Sequence, residues 1–383
     1  MLNPYLSFFL LPSSEHPEKI VLHAPIRGRQ CIVTNVYAAK TPELFSVLRC
    51  ISQRIVTGRE IDLKISSRTY EMLQKMGVLL RRARISHPPL FDAPISEMKL
   101  GPAPTGKTGE WMVNPTFRKI PKKDLAFALS RLAGRKQWIE VKAPGFLAPS
   151  IYSTDQKQLR GLRAGKSFHG KFSLKRLAPL VQAGILIDRS ELQALNTKRS
   201  LNEAKFALKQ NGYVCLTNLF SSGLIAAVAE YYRKLMDSGF LPLGDEQVVR
   251  RYSLHNESIA RLLHLRMTDL VSVLAVQRVK PSFVFFGSYA EGAELTRHTD
   301  RNQCEFSISL LIDYQPVPQG KSPWPLYLKP PGRKPVAIHQ SIGDGILYRG
   351  RELAHWRPVL PQGNCSTSLF FHYVRKDFTG VLD

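Results

Sequence analysis

Apolar residues recur along this chain with two periods, and the change from one to the other marks out its elements. Ile20-Val21-Leu22-His23-Ala24-Pro25 and Gln30-Cys31-Ile32-Val33-Thr34-Asn35, separated by a turn at Gly28, are rich in β-branched residues and predict two strands. Thr41-Pro42-Glu43 then sets an N-cap and an N1 proline ahead of Leu44, Leu48 and Ile51, one face of a helix. A second helix is predicted from Ser66 to Met76, capped by Ser66 or Ser67, with Tyr70, Leu73 and Met76 apolar. Gly77 ends it, and Val78-Leu79-Leu80 reads as a short strand. Strands, helices and a closing strand in this order predict a small winged-helix-like module over residues 1–95.

The same plan recurs further on. Leu22-His23-Ala24-Pro25 is echoed by Val141-Lys142-Ala143-Pro144, and the run Leu73 to Leu80 is echoed without gaps by Leu180 to Ile187. Two anchors in the same order predict a degenerate duplication, with the second module at residues 135–190. Between the copies, residues 96–134 read as a linker with one helix, Pro121 to Leu132, carrying Leu125, Phe127, Leu129 and Leu132. Gly101 to Thr108 matches the phosphate-loop pattern G-x-x-x-x-G-K-T. Its context is wrong, because Pro102 and Pro104 remove amide donors and Gly109 and Pro115 spoil the helix that should follow. It reads as linker. Asp188 to Arg199 joins the second module to residues 191–383.

In that last part Asn202–Gln210 is expected to be helical, ahead of a strand at Tyr213-Val214-Cys215-Leu216. Ser221 or Ser222 caps a helix to about Asp237, with Leu224, Val228, Tyr231 and Leu235 as its core stripe. Arg250 to Leu274 looks largely helical, with His255 and His264 as ordinary histidines. Val279–Ser288 and Phe306–Leu311 read as strands. Lys321 to Pro331 is a Pro-rich loop, and Gly343-Asp344-Gly345 is a tight turn feeding a strand.

Composition changes the picture at two points. The net charge is +24, and residues 1–200 hold 33 Lys and Arg against 14 Asp and Glu. Such a field attracts polyanions, so the basic surface belongs mainly to the N-terminal modules. Five cysteines in no CxxC pair argue against a disulfide framework or zinc cluster and for a reducing compartment. No stretch reaches the length of a membrane span, and Tyr5–Leu11 lacks the flanks of a signal peptide, so a cytoplasmic protein is expected.

The candidate chemistry centres on His298-Thr299-Asp300. In a strand, His298 and Asp300 would point the same way. His355 is the best third ligand, and two histidines with one carboxylate form the set of non-haem Fe(II) oxygenases. His339 is a weaker candidate, and His372 is assigned to packing or to the ligands' surroundings. The pattern Tyr289-x-x-Gly292-x5-His298-x-Asp300, then Gly343-Asp344-Gly345, then His355-x-x-Pro358-Val359-x-x-x-Gly363, resembles the 2-oxoglutarate/Fe(II) dioxygenase superfamily, most closely its prolyl-hydroxylase-like branch. Asn211 to Leu216 resembles the start of the same catalytic domain. The resemblance implies a C-terminal double-stranded β-helix (jelly-roll) in an α+β multidomain chain, with Fe(II) and 2-oxoglutarate as cofactor and cosubstrate and an unactivated C–H bond as target. Tyr289 and Thr367 are then candidates to hydrogen-bond the cosubstrate.

One departure stands out. Where that branch carries a basic residue for the far carboxylate of 2-oxoglutarate, followed two positions later by Ser or Thr, this chain has Cys365 and Thr367. Arg357, two residues after His355, is the replacement expected on a continuing strand, the other reading being a surface arginine. Both N-terminal modules resemble the winged-helix-like peptide-recognition element of enzymes that modify ribosomally made peptides. That resemblance implies a peptide or protein substrate with an acidic leader, held by strand addition. A nucleic acid held by its phosphates is the alternative substrate. A non-catalytic binding protein with a lapsed oxygenase domain is the third reading.

Overall fold

The computed structural model describes residues 2–3, 6–11, 18–25, 31–57, 65–81, 88–95, 111–134, 136–163, 174–189, 191 and 198–382. The Gly28 turn, the Gly101–Thr108 segment and most of the Asp188–Arg199 connection lie outside the described residues. The first unit has three antiparallel strands, β1 (Ser7–Leu11), β2 (Lys19–Ala24) and β3 (Ile32–Tyr37), in the order β1-β2-β3. Alternation along β2 sends Ile20, Leu22 and Ala24 into a core with Leu44, Leu48 and Ile51 of α1 (Pro42–Thr57) and Leu73 of α2 (Ser67–Lys75). Val21 and His23 take the opposite face. The Ser66 hydroxyl accepts the Thr69 amide and starts α2, while Gly77 leaves it at φ +73°. Two sequence expectations change here. Tyr70 is 48% exposed. Among the described residues the closing strand at Val78–Leu80 is a single bridge, Leu2 with Leu79.

The second unit repeats this plan. It runs β4 (Trp111–Val113), β5 (Arg118–Lys119), α3 (Lys122–Leu125) continuing into a 3-10 turn at Ala126–Arg131, β6 (Gln137–Val141), β7 (Ser150–Thr154), α4 (Gln156–Arg163), α5 (Leu174–Gln182) and β8 (Leu186–Asp188). Its sheets are β5-β6-β7 and β4-β8. A buried asparagine bonds across each copy, with two of its three bonds at matching positions (Gly77 and Gly184, Val78 and Ile185). The Asn3 amide nitrogen donates to the carbonyls of Pro25 (3.0 Å) and Gly77 (3.1 Å), and its backbone amide to Val78 (2.8 Å). Asn114 donates to Lys142 (2.9 Å) and Gly184 (2.8 Å), and its backbone amide to Ile185 (2.8 Å). The second copy draws β4 and β5 from residues that the sequence reading gave to the linker.

Residues 198–382 build two antiparallel sheets with helices on one side. The elements are α6 (Lys198–Asn211), β9 (Tyr213–Leu216), α7 (Ser222–Asp237), β10 (Arg251–His255), α8 (Ser258–Ala275), β11 (Val279–Tyr289), β12 (Leu295–His298) and β13 (Phe306–Gln315). They continue with β14 (Leu326–Lys329), β15 (Val336–Ile338), β16 (Gly345–Tyr348), β17 (Ala354–Arg357) and β18 (Cys365–Arg375). The larger sheet has the order β10-β11-β18-β13-β16-β9 and the smaller β12-β17-β14-β15. Leu326, Leu328 and Ile338 of the smaller pack on Ile346 and Tyr348 of the larger. The outer face of the larger sheet, through Phe286, Ile308, Leu369 and Phe371, packs on α7 and α8 in the main core.

The helix expected from Arg250 starts only at Ser258. Residues 251–255 form an edge strand instead, because Asn256, at φ +51°, breaks the backbone. Glu257 then caps α8, its carboxylate accepting the amides of Ile259 and Ala260 and the hydroxyls of Tyr231 and Tyr232. The second unit is fused to this body: Tyr152 and Ser221 share a hydroxyl–hydroxyl bond (2.5 Å), and Arg266 of α8 pairs with Glu140 of β6 at 2.9 Å. Among the described residues no helix is long and apolar enough to cross a membrane.

Candidate active site

Cross-strand pairing places His298, the last residue of β12, directly opposite His355 on β17. Their rings lie 4.3 Å apart. Asp300 stands beyond the end of β12, so strand alternation does not aim it. Its backbone amide instead donates to the Gly350 carbonyl (2.9 Å), which brings its Oδ1 to 3.5 Å from His355 Nε2 and 3.9 Å from His298 Nε2. One ligand atom from each of the three lies within 4.8 Å of the others. His298 Nδ1 faces the Thr296 carbonyl at 2.8 Å, and His355 Nδ1 faces the Leu353 carbonyl at 2.9 Å. A carbonyl can only accept, so both Nδ1 atoms carry a proton, and in the neutral ring it is Nε2 that turns a lone pair toward the common centre. The donor set and tautomers fit a divalent metal with open positions.

The carboxylate is held from behind. Ser307 Oγ donates to Asp300 Oδ2 (2.8 Å) and lies 2.9 Å from His372 Nδ1, so His372 reaches the ligand through one hydroxyl. Burial would raise the Asp300 pKa, but the hydrogen bond and charge of His355 outweigh it and hold the carboxyl well below its usual range. Burial, joined by the neighbouring His355, lowers His298. His355 is raised in spite of burial, because Asp300 favours its charged form. His339 bonds the Ser322 carbonyl and stands outside the His298, Asp300 and His355 group.

The three residues open on a cavity of about 700 Å³. Tyr289 lines it, with its hydroxyl accepting from Arg251 (3.0 Å). Thr367 does not. Phe370 and His372 line the cavity, so residues of the other parity on β18 face the helices, and Thr367 bonds Ser288 (2.8 Å) on that side. Ser366 has the cavity's parity, and its buried hydroxyl has no partner. Arg357 is 2% exposed and lies between the two sheets rather than on the cavity wall. It donates to the Trp324 carbonyl (3.2 Å), Gln340 Oε1 (3.2 Å) and Ser309 Oγ (3.4 Å), and its Nε has no partner. Among the described residues no carboxylate pairs with it; the phenols of Tyr289, Tyr348 and Tyr314 act on its charge, and burial lowers its pKa. Arg251, by contrast, lines the cavity but is held by both oxygens of Asp245 (2.7 and 2.8 Å).

Sequence reasoning missed Ser307, Arg251, Asp245 and the cavity role of His255. It also missed four residues of the first unit, Val21, His23, Val33 and Asn35, which line the same cavity. Ser307 and Ser309 within the apolar run Phe306–Ile312 were a readable signal.

No protein-family model and no curated protein matches the chain. Solved structures do. A prolyl-4-hydroxylase of Pseudomonas putida aligns at 18% identity over 46% of this chain and 99% of its own, with a TM-score of 0.37. A prolyl hydroxylase of Trichoplax adhaerens, in complex with a peptide fragment of the hypoxia inducible factor oxygen degradation domain, aligns at 17% over 50% and 94%, with a TM-score of 0.41. HygX of Streptomyces hygroscopicus, with nickel, 2-oxoglutarate and hygromycin B bound, aligns at 13% over 46% and 88%, with a TM-score of 0.37.

Proposed function

We propose that the chain is a non-haem Fe(II)/2-oxoglutarate-dependent oxygenase whose C-terminal half is a double-stranded β-helix. One observation carries the reading: His298 Nε2, His355 Nε2 and Asp300 Oδ1 converge on one point, with both imidazole tautomers fixed by backbone carbonyls. His298, Asp300 and His355 hold the metal. When bound, Fe(II) with 2-oxoglutarate and O2 supplies the power to oxidise an unactivated C–H bond, leaving succinate and CO2.

The chain's own residues bind and orient. Arg357 anchors the far carboxylate of 2-oxoglutarate: a buried guanidinium with an orphaned Nε and no carboxylate partner is costly alone, and an incoming anion compensates it. Tyr289 and the unpartnered Ser366 hydroxyl flank that anchor, Ser366 standing opposite Tyr289 in the sheet. Ser307 keeps Asp300 oriented, and aromatic side chains such as Phe283, Phe285 and Phe370 restrict water around the reacting centre.

The substrate is read as a peptide or protein side chain, and the two N-terminal copies as winged-helix-like units. The support is the position of β3, an outer strand of its sheet that carries Val33 and Asn35 on the cavity. A peptide added along that edge would pass the mouth of the site. Anaerobic Fe(II) titration tests the metal assignment: the wild-type chain should bind one equivalent, and His298→Ala, Asp300→Ala and His355→Ala should each lose it. Full retention in His355→Ala would remove the third ligand, and with it the oxygenase reading.

A further inference from the structure

The two copies of the N-terminal unit use the same sheet face for different contacts. In the second copy, Glu140, one residue before the core-facing Val141, pairs with Arg266 of α8 and docks that face on the catalytic body. In the first copy the face opposite Ile20, Leu22 and Ala24 presents Val21 and His23 of β2, with Val33 and Asn35 of β3 beside them. All four line the cavity that holds His298, Asp300 and His355. The first copy has a hydrophobic core of its own, separate from the one shared by the second copy and the catalytic half. β1 runs beside β10, and the Lys19 ammonium pairs with Glu246, which itself lines the cavity.

We infer that the first copy is part of the active site: its β2–β3 face is the substrate-side wall of the cavity, with His23 and Asn35 as its polar contacts. The inference deepens the oxygenase reading and rests on it for the identity of the metal. His23 is the telling residue. Its Nδ1 is buried with no hydrogen-bond partner, a cost that a ligand group would relieve. Burial lowers its pKa to about 4, against a smaller opposing effect of Asp245, so the ring is neutral near pH 7. A neutral imidazole offers one donor and one acceptor, so it can hydrogen-bond an amide or a hydroxyl. Val21 and Val33 offer apolar contact on either side. The cavity's volume falls within the roughly 300–1,000 Å³ of sites that enclose a small molecule. The wall therefore offers hydrogen-bonding and apolar contacts to a group of small-molecule size.

Two measurements on the full-length protein test this. Carbodiimide treatment joins an ammonium to a carboxylate only where the two are already paired, so mass spectrometry should find Lys19 linked to Glu246. This readout does not depend on metal. In the second, the Fe(II)-loaded protein is exposed briefly to ascorbate and hydrogen peroxide, which oxidise side chains close to bound iron. His23 should gain one oxygen atom, and the gain should vanish in Asp300→Ala. Absence of the Lys19–Glu246 link, or iron-dependent oxidation of Phe283 and His255 that spares His23, would overturn the inference. A Lys19–Glu246 link with no iron-directed oxidation anywhere would uphold the wall and count against the metal site instead.

Discussion

Gly350 gives the sharpest structural prediction for the metal site. It follows β16, and its carbonyl accepts the Asp300 amide (2.9 Å). A Cβ at this position would lie 2.2 Å from Asp300 Oδ2, 2.6 Å from the Cys304 carbonyl and 2.7 Å from the Ser307 hydroxyl. Two of these atoms belong to the arrangement that orients the carboxylate ligand, and the third is backbone. Gly350→Ala therefore forces a methyl into filled space, which costs about 1–3 kcal/mol. Asp300 is the neighbour that can turn, so the strain should fall on its ligand geometry. At about 1.4 kcal/mol per tenfold, that is roughly a 5- to 150-fold loss of Fe(II) affinity. Anaerobic titration with a competing chelator reads it directly, and thermal unfolding of the metal-free protein shows whether the fold shares the strain. Fe(II) affinity within about twofold of wild type, with an unchanged melting temperature, would refute the argument that Gly350 makes room for Asp300.

Other outcomes follow from the same contacts. Ser307→Ala removes the hydroxyl that bridges Asp300 and His372 and should weaken metal binding about 10- to 100-fold in the same titration. Arg357→Met should raise the apparent KM for 2-oxoglutarate, yet leave the melting temperature of the cosubstrate-free protein equal or higher, since it removes a buried charge with no carboxylate partner among the described residues; a lower melting temperature with unchanged KM would make Arg357 structural. Thr367→Val should leave the KM for 2-oxoglutarate unchanged, because Thr367 faces the helices. Burial lowers His264 to about 3 and His23 to about 4. Between those values and about 6.5 the unfolded chain binds more protons, so stability should fall as pH drops through that window. Urea unfolding at pH 7.5 and pH 5 checks this, and His264→Gln should lessen the difference. Asn3→Ala strips two buried carbonyls of their donor, at about 1–3 kcal/mol, and should melt the separately cored first copy early. Asn114→Ala should lower the main transition instead, because its copy shares the main core.

The three residues of the proposed metal site could be picked out in the sequence because His298 and Asp300 are two residues apart and the Pro358–Gly363 run marks His355. The way Asp300 is aimed was not legible, since it depends on the Gly350 carbonyl, fifty residues away, and not on strand alternation. Thr367 was misplaced for a related reason. A residue's parity on β18 is absolute only once the register with β11 and β13 is known, and β13 slips between Leu311 and Asp313. The β10 strand was hidden because its apolar residues run straight into those of α8, with only Asn256-Glu257 between them. Arg357 was readable as an interior residue but not as one without a carboxylate partner. The duplication was visible in the Gly77 and Gly184 runs, while Asn3 and Asn114, which bond across the two copies, left too small a match in the sequence to carry weight. The approach of β2 and β3 to the catalytic cavity spans more than two hundred residues of sequence and left no local mark.

The most direct test of the central claim is conversion of 2-oxoglutarate by the purified, Fe(II)-loaded chain in air, followed as succinate and CO2. The account predicts iron-dependent formation of both in equal amounts, slow without a substrate in the cavity and absent in His355→Ala. Stoichiometric iron at the three residues with no formation of succinate, in wild type as in His355→Ala, would contradict it.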